Sequence, residues 1–475
     1  MTILQVPGVV RRRLGVLGLL TLATALLAAC SPPPEVVEEQ QKSQASARQP
    51  NREVLKDVPV SPFVSVHGNK FYLQGKPYRF VGANMWYAAY LGSTSDDIGD
   101  RERLKRELDL LKANGVTNLR ILGASERSPM RDAIRPAISS KAEVERPDIL
   151  EGLDFALAEM AKRDMKAVIF LNNFWEWSGG MATYLSWVNG GEIVDMADPD
   201  KPWPAFALFS AKFYSNPEAV GLYHRYVSQL LERKNSVTGK LYRDDPTIMA
   251  WQLANEPRPG DGKQSQPNLP NYLDWIENTA KLIKSIAPQQ LVSVGSEGIM
   301  GCLGMKDCFL AAHSDNGVDY ATFHMWPKNW GWFDVGNAGE TFGRVITRAD
   351  HYIDEHIRLA DQMTMPLVLE EFGLERDGGA FGPDSSISFR NQFFQFVYAK
   401  INDSVHNGGP LVGSNVWAWG GYGEALHEDA VWREGDKSFV GDPPQEPQGL
   451  NSVFATDLST LEIFKTHNEI INAGL

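Results

Sequence analysis

The stretch that decides the fold is "IMAWQLANEPRPG", residues 248–260. Its first seven residues are apolar except for Gln252, which is typical of a strand buried in a parallel sheet. The run then meets Asn255 and Glu256, and Pro257 ends it because proline has no backbone N–H to donate. In a closed barrel of parallel strands, residues at this place face the opening where chemistry occurs. Glu256 is therefore a candidate catalytic residue.

Eight short apolar runs of this kind occur along the chain, and helical patterns fill most of the intervals. Leu104, Leu108 and Leu111 fall at helical spacing, and Asn114-Gly115 then ends that helix. Strands that alternate with helices predict a parallel sheet, and eight such units predict an α/β fold of the (β/α)8 TIM-barrel type. A doubly wound open sheet is the alternative, although the chain has no glycine-rich phosphate loop of the kind that such sheets carry. The predicted strands are Phe80–Trp86, Asn118–Leu122, Ala167–Leu171, Ile248–Ala254, Leu291–Val294, Tyr320–His324, Pro366–Glu371 and Ser414–Trp419.

The amino-terminal residues differ in composition from the predicted barrel. Arg11-Arg12-Arg13, an uncharged Leu/Ala-rich segment and Leu-Ala-Ala before Cys30 predict a lipoprotein signal peptide over residues 1–29, with a lipid on Cys30. An uncleaved membrane anchor is the alternative. Residues 30–57 are rich in Pro, Glu, Gln and Ser, which predicts a disordered tether. The catalytic domain is then residues 58–475, and it begins with a β-hairpin within Phe63–Phe80.

This leader predicts export and lipid anchoring to a bacterial membrane, on the periplasmic or cell-surface face. Because Ser31 rather than Asp follows the cysteine, the outer membrane is favoured. The formal net charge of −13 over 475 residues disfavours nucleic acid as a partner. Cys302 and Cys308 can form a small disulfide or remain two thiols, and the cysteines show no zinc-ligand spacing. We expect a monomer with no metal and no organic cofactor.

Two further carboxylates, Glu370 and Glu371, end the seventh strand in "LVLEEFG" (residues 367–373). Neighbouring residues of a regular strand point to opposite faces, so only one of Glu370 and Glu371 is expected to face the barrel mouth. Two carboxylates across such a mouth suit cleavage of a glycosidic bond, where one protonates the leaving oxygen and the other attacks the anomeric carbon. A glutamate at one strand end can simply meet solvent, but two behind buried strands favour a catalytic pair.

Tryptophans are concentrated at the predicted strand ends. Indole rings can stack on the apolar C–H faces of pyranose sugars, so the concentration favours a sugar-binding cleft, although any single Trp can equally belong to the core. The nine concerned are Trp86, Trp175, Trp177, Trp203, Trp326, Trp330, Trp332, Trp417 and Trp419.

Several of these motifs, taken in order, resemble the endo-β-1,4-mannanases of glycoside hydrolase family 5. The motifs are "GANMWY" (82–87), "NLRIL" (118–122), "LNNFWEWSGGM" (171–181), "LANEPRPG" (253–260), "FHMWPKNW" (323–330), "LEEFG" (369–373) and "WAWGG" (417–421). The resemblance covers residue 63 to the carboxyl terminus.

The resemblance implies that Glu256 is the acid/base and Glu371 the nucleophile of a retaining double displacement. For an acid we expect a raised pKa at Glu256, supplied by burial and by the charge of the nucleophile. Glu370 is then expected to point outward into the helical layer. Arg120 is implied to contact Glu371 and keep it ionised, with an ordinary surface ion pair as the alternative.

The resemblance also implies a set of residues that bind the sugar. Asn255 matches the amide that holds the 2-hydroxyl at the cleavage point, and His324 matches a histidine of the mouth, with a packed core histidine as the alternative. Trp326 occupies a position where many members have a tyrosine that donates to the nucleophile, so its own role stays open. The others are Trp417 as the platform beneath the sugar, Arg258 on the leaving-group side, and Trp86 and Asn84 at the floor or distal end of the cleft.

The predicted activity is therefore endo-hydrolysis of β-1,4-mannosidic bonds in mannan, glucomannan or galactomannan. The partner is a β-mannan polysaccharide or a mannooligosaccharide. A β-1,4-glucanase of the same barrel group and a non-catalytic glycan-binding surface lipoprotein are the alternatives, because composition does not distinguish mannose from glucose.

Overall fold

Eight parallel strands form a barrel, each followed by at least one helix. The computed structural model describes residues 58, 60–314 and 316–474, so the predicted signal peptide and nearly all of the predicted tether lie outside the described residues. We number the barrel strands one to eight in chain order. They are Phe80–Asn84, Val116–Leu122, Lys166–Phe170, Ile248–Gln252, Leu291–Ser293, Ala321–Met325, Leu367–Phe372 and Leu411–Val416. All eight predicted strands are confirmed, with ends that shift by a few residues.

The barrel closes between its first and last strands, since strand eight pairs with strand one through Ser414 and Val81. The sheet order is five, four, three, two, one, eight, seven, six. Strands five and six form no ladder among the described residues. Hydrogen bonds nevertheless cross that gap, from Asp319 N to Val292 O (2.8 Å) and from His324 N to Glu297 O (3.3 Å). The open doubly wound sheet is thus excluded, because its two edge strands would lie far apart.

The helices surround the barrel and follow the strands in the predicted alternation. Arg101–Ala113 confirms the helix expected from Leu104, Leu108 and Leu111, and those three leucines are fully buried. Asp100 caps its amino end by accepting a hydrogen bond from Arg103 N. The α-helices are Ala88–Gly92, Arg101–Ala113, Pro147–Ala161, Gly180–Val188, Ala205–Ser210, Pro217–Leu231, Leu269–Ile286, Lys306–His313, Ala338–Met363, Ser388–His406 and Leu458–Ile471. Among the described residues, no helix has both the length and the apolar character needed to cross a bilayer.

A small sheet covers the end of the barrel where the strands begin. Its antiparallel strands are Ser65–His67, Lys70–Leu73 and Lys76–Tyr78, so the predicted hairpin has a third strand. Phe71 packs edge-on against Tyr320 with 5.2 Å between ring centroids. Its ring shares a buried apolar cluster with first-half residues of several barrel strands, including Val168 and Val368. This sheet closes the amino end of the barrel and leaves the carboxyl end as the open face.

Candidate active site

Glu256 lies just beyond the carboxyl end of strand four, where the backbone turns sharply. Its φ is +49°, a left-handed conformation that is uncommon for a residue with a side chain and is found disproportionately at functional sites. Glu256 N donates to Gly295 O (3.0 Å). Gly295 has a φ of +79°, and a Cβ there would lie only 1.9 Å from Ala254 O, so the close approach of the two strand ends requires glycine.

Glu371 faces Glu256 from the end of strand seven. One oxygen of each carboxylate and one nitrogen of His324 all lie within 4.8 Å of one another. Retaining glycosidases separate their carboxyl groups by about 5–5.5 Å, whereas inverting enzymes leave roughly 6.5–9.5 Å for a water molecule. The close spacing therefore matches nucleophilic attack rather than water activation.

A bulge in strand seven changes where its two glutamates point. In the pairing of strands six and seven, Phe323 lies opposite Leu369 but His324 lies opposite Glu371, so Glu370 is the extra residue. The prediction that Glu370 points outward is wrong. Its carboxylate accepts from Gln252 Nε2 (2.6 Å) inside the barrel and is 1% exposed. The alternation of a regular strand fails here because the bulge aims both carboxylates inward.

Arg120 organises this interior from strand two. Its guanidinium is fully buried and forms an ion pair with Glu371, which rules out the surface ion pair. It also donates to Asn255 Oδ1 (2.7 Å), Gln252 Oε1 (2.7 Å) and Asn84 Oδ1 (3.0 Å). One cation thereby fixes the carboxylate of Glu371 and the amide of Asn255 relative to each other.

His324 is the link between the two catalytic candidates. Its Nδ1 lies 2.6 Å from Glu256 Oε1 and 3.3 Å from Glu371 Oε2. Burial acts to lower the pKa of His324, but the charge of Glu371 and the hydrogen bond to Glu256 outweigh it and raise that pKa to about 9. The imidazole therefore carries a positive charge at neutral pH, and its position excludes the packed core histidine.

The pKa of Glu256 is shifted in the opposite direction to that expected. Burial alone would raise its pKa, but the hydrogen bond and charge of His324, with help from Arg258 and Trp175, lower the pKa of Glu256 to about 2. The expectation of a raised pKa is thus wrong for the free site, because it did not include a protonated imidazole in contact. Glu256 and His324 together hold one proton between these two pKa values, and it resides on the imidazole.

Two indole N–H groups also point at the acid/base candidate. Trp175 Nε1 donates to Glu256 Oε2 (2.6 Å), and Trp326 Nε1 donates to Glu256 Oε1 (3.3 Å). The structure thus answers the open question about Trp326, since its indole N–H donates to Glu256 rather than to Glu371. Trp326 also meets Trp417 edge-on at 6.0 Å between ring centroids.

Glu256 and Glu371 open into a cleft of about 790 Å³, a volume suited to a small ligand or to several sugar units. Asn255, Arg258, Trp326 and Trp417 line it together with these two glutamates. Six of the nine tryptophans expected at the open face do so: Trp175, Trp177, Trp203, Trp326, Trp330 and Trp417. The cleft is therefore strongly aromatic, as the sequence predicted.

Four predicted site residues lie behind the cleft wall instead of on it. Trp86 donates its indole N–H to Gly441 O (3.0 Å) and packs against Trp177. Asn84 donates its side-chain N–H to Glu370 O (2.8 Å) and accepts a hydrogen bond from Arg120. Both are at most 1% exposed, so their expected place at the floor of the cleft is corrected to a supporting role. Arg120 and His324 are equally buried, and they act on the cleft through the lining residues that they contact: Glu371 and Asn255 for Arg120, and Glu256 and Glu371 for His324.

Sequence reasoning missed Glu297, which lines the cleft after strand five. It forms an ion pair with Arg258, whose guanidinium also lies 5.0 Å over the Trp175 ring. Burial raises the pKa of Glu297 to about 7, against the opposing charge of Arg258. The signal was present, because "LVSVGSEG" (residues 291–298) repeats the pattern of an apolar strand followed by a carboxylate. The nearby Cys302 and Cys308 form a disulfide, which settles the choice between a bridge and two thiols.

Comparisons with known proteins find relatives in glycoside hydrolase family 5. Residues 61–473 match the family described as glycoside hydrolase family 5 β-mannosidase-like. Mannan endo-1,4-β-mannosidase 1 of Arabidopsis thaliana is 31% identical over 373 residues, covering 75% of this chain and 81% of the relative. The crystal structure of a glycoside hydrolase family 5 mannosidase from Rhizomucor miehei is 30% identical, with a TM-score of 0.79, and the match covers 87% of this chain and 98% of that one. A mutant of the same mannosidase was crystallised with mannosyl-fructose; it is 30% identical with a TM-score of 0.78, covering 86% of this chain and 97% of that one.

Proposed function

The chain belongs to the glycoside hydrolase family 5 β-mannosidase-like family, and from that membership we propose that it hydrolyses internal β-1,4-mannosidic bonds of mannan, glucomannan or galactomannan. The observation that carries the proposal is the approach of Glu256 and Glu371 to within 4.8 Å at the base of an aromatic cleft. Two carboxylates at this spacing support double displacement with retention of configuration. The relatives named as endo-mannosidases support mannan over glucan.

In the proposed first step, a Glu371 oxygen attacks the anomeric carbon and the bond to the leaving oxygen breaks. Arg120 holds the attacking carboxylate, and Asn255, itself held by Arg120, is placed to bind the 2-hydroxyl of the same sugar. Trp417 forms the platform beneath that sugar. Glu371 becomes a neutral ester when the covalent bond forms. The second step reverses the roles, as Glu256 removes a proton from the water that cleaves the ester.

The proton for the leaving oxygen comes from the Glu256–His324 pair. In the free site this proton is on His324, partly because the charge of Glu371 favours the imidazolium. As Glu371 loses its charge in forming the covalent bond, that attraction disappears and His324 holds the proton less tightly. The proton can then pass through the 2.6 Å hydrogen bond to Glu256 and on to the departing oxygen.

The test compares the release of reducing sugar from galactomannan, glucomannan and carboxymethyl-cellulose. We expect the two mannans to be cleaved and the cellulose derivative to be left nearly intact. Glu256→Ala and Glu371→Ala should each remove most turnover while mannooligosaccharide binding stays measurable. Glu277→Ala is the matched control, because Glu277 lies on the surface, where it pairs with Lys281. Preferred cleavage of carboxymethyl-cellulose would instead assign a glucanase, and an inactive wild type would assign a binding protein.

We also propose that the chain is exported and anchored through a lipid on Cys30. The basic, apolar and small-residue pattern over residues 11–30 supports this proposal. Mass spectrometry of the protein extracted from a membrane fraction should find residue 30 as a lipid-modified amino terminus. Cys30→Ser should release the protein or leave an uncleaved leader, whereas an unmodified Cys30 in the wild type would contradict the anchor.

A further inference from the structure

Glu370 is a buried carboxylate that has no role in the reaction proposed above. It is the extra residue of the bulge in strand seven, and it is 1% exposed. Glu371 lines the cleft, whereas Glu370 is not among the described residues that do so. Removing a carboxylate from water is unfavourable unless neighbouring groups compensate for the loss of hydration. The groups that surround Glu370 therefore indicate what it does.

Arg120 pairs with both glutamates of strand seven. It forms an ion pair with Glu371, and its Nε lies 3.9 Å from Glu370 Oε2. Because Arg120 is fully buried, water and salt screen its charge little. Each of the two carboxylates can therefore stabilise the guanidinium by its charge. Arg120 thus has two counter-ions, and of these two it is Glu371 that reaches the cleft.

Two side-chain amides hold Glu370 at a fixed separation from Arg120. Arg120 Nε donates to Gln252 Oε1 (2.7 Å), and Gln252 Nε2 donates to Glu370 Oε2 (2.6 Å). In a second chain of hydrogen bonds, Arg120 Nη1 donates to Asn84 Oδ1 (3.0 Å), and Asn84 Nδ2 donates to the carbonyl oxygen of Glu370 (2.8 Å). The guanidinium is thereby connected to both the side chain and the backbone of Glu370.

The charge around Arg120 changes during the proposed reaction. In the free site Glu371 is the closer counter-ion, but it becomes a neutral ester when the covalent bond to the sugar forms. A buried cation that loses its charged partner is strongly destabilised. Glu370, at 3.9 Å, remains within ion-pair distance of Arg120 at this stage.

The pKa of Glu370 responds to the same change. Burial raises the pKa of Glu370, while the charges of Arg120 and His324 act against this increase. The charge of Glu371 contributes to the increase. When Glu371 is esterified, its contribution disappears. The ionised form of Glu370 is therefore favoured more in the covalent intermediate than in the free site.

We propose that Glu370 is a positioning residue that supplies the counter-charge for Arg120 while Glu371 is bound to the sugar. This inference rests on the proposed double displacement and adds how its covalent intermediate is stabilised. Stabilising the intermediate makes the first step faster, because Glu371 loses its charge in that step. It makes the second step slower, because Glu371 must regain its charge there. Removing the charge of Glu370 should therefore affect the two steps in opposite directions.

Glu370→Gln tests this inference, since it removes the charge and keeps the size and polarity of the side chain. The probe is a mannobioside that carries fluorine at C2 and a dinitrophenolate leaving group, so that the covalent adduct forms and then breaks down slowly. At saturating probe, the rate constant for loss of activity measures the first step. The rate constant with which the isolated adduct regains activity measures the second step. In Glu370→Gln the first rate constant should fall by about tenfold, equivalent to 1.4 kcal/mol, and the second should be at least as large as in the wild type.

Tyr320→Phe is the matched control, because the Tyr320 hydroxyl donates to Glu370 Oε1 (3.4 Å) but is neutral. It should leave the ratio of the two rate constants unchanged. Glu370→Asp keeps the charge and withdraws it by one methylene group, so it should show the same shifts more weakly. It carries the test if the glutamine variant does not fold.

Two results would overturn the inference and leave mannan hydrolysis in place. One is an unchanged first step in Glu370→Gln, which would mean that Glu370 carries no charge that matters to Arg120. The other is a slowing of both steps, which would indicate a purely structural role. A wild type that forms no adduct on Glu371 would instead contradict the proposed double displacement itself.

Discussion

Replacing His324 by glutamine tests the idea that one proton is shared between this imidazole and Glu256. Raising the pKa of His324 from 6.5 to about 9 corresponds to roughly 3 kcal/mol, at 1.36 kcal/mol per unit. In the wild type, kcat/KM should therefore fall only as the pH approaches about 9, where the pair loses its proton. In His324→Gln the proton can reside only on Glu256, whose pKa rises from about 2 because the charge and hydrogen bond that lowered it are gone.

The high-pH limb of kcat/KM in His324→Gln should consequently move at least one pH unit below that of the wild type. At pH 7 the loss of activity should be about 10²–10⁴-fold, the usual contribution of general acid–base catalysis. The assay is the initial rate on mannopentaose from pH 4 to 10. His224→Gln is the control, because His224 contacts Thr279 on the helical layer and should leave the limb in place.

The pH dependence of the free energy of unfolding tests independently whether His324 carries this proton. The folded-state pKa of His324 is raised, so its stabilising effect is complete below the unfolded value of 6.5 and is lost as the pH rises through about 9. Between these values the free energy of unfolding of the wild type should fall by up to about 1.4 kcal/mol per pH unit from this group, and His324→Gln should lack that component. An unchanged limb near pH 9 in the variant, together with an unchanged stability slope, would refute the shared proton.

Further outcomes follow from the same contacts. Proton NMR in the first minutes of reaction should show the β-anomer as the initial product, and an initial α-anomer would exclude double displacement. Glu371→Ala should remove the covalent intermediate, so that trapping with a fluorinated mannoside labels the wild type only; labelling of the variant at another residue would reassign the nucleophile. Burial lowers the pKa of His356 and of His467 to about 3, so below pH about 6.5 these histidines take up protons in the unfolded chain before they do so in the folded one. Urea unfolding should therefore show the free energy of unfolding falling from pH 6.5 toward pH 4. The fall should be less steep in His467→Gln. Opening the disulfide by Cys302→Ser should cost about 2 kcal/mol of unfolding free energy, as expected for the small loop closed with Cys308, and calorimetry that finds no change would contradict this.

The barrel was predictable from sequence because each strand is a short apolar run and each helix has its own spacing. Leu104, Leu108 and Leu111 alone locate the first long helix, and residues 248–254 locate strand four. Local patterns of this kind depend only on which face of an element is buried. The positions of Glu256 and Glu371 at the carboxyl ends of their strands followed directly from the fold.

What sequence reasoning could not predict depends on contacts between distant segments. The inward turn of Glu370 arises from a register shift against strand six, which a single strand does not encode. The lowered pKa of Glu256 arises from His324, 68 residues away. The supporting roles of Asn84 and Trp86 likewise depend on distant residues: Asn84 accepts a hydrogen bond from Arg120, and Trp86 donates one to Gly441.

The three-stranded sheet at the amino end of the barrel has a practical consequence. Because residues 65–78 lie across the end where the strands begin, the described chain enters the domain on the face opposite the cleft. A fusion partner or solid support joined at that end would leave the entrance for polysaccharide unobstructed. Enzyme immobilised on beads through its amino terminus should therefore retain more turnover on insoluble mannan than enzyme coupled through random lysines.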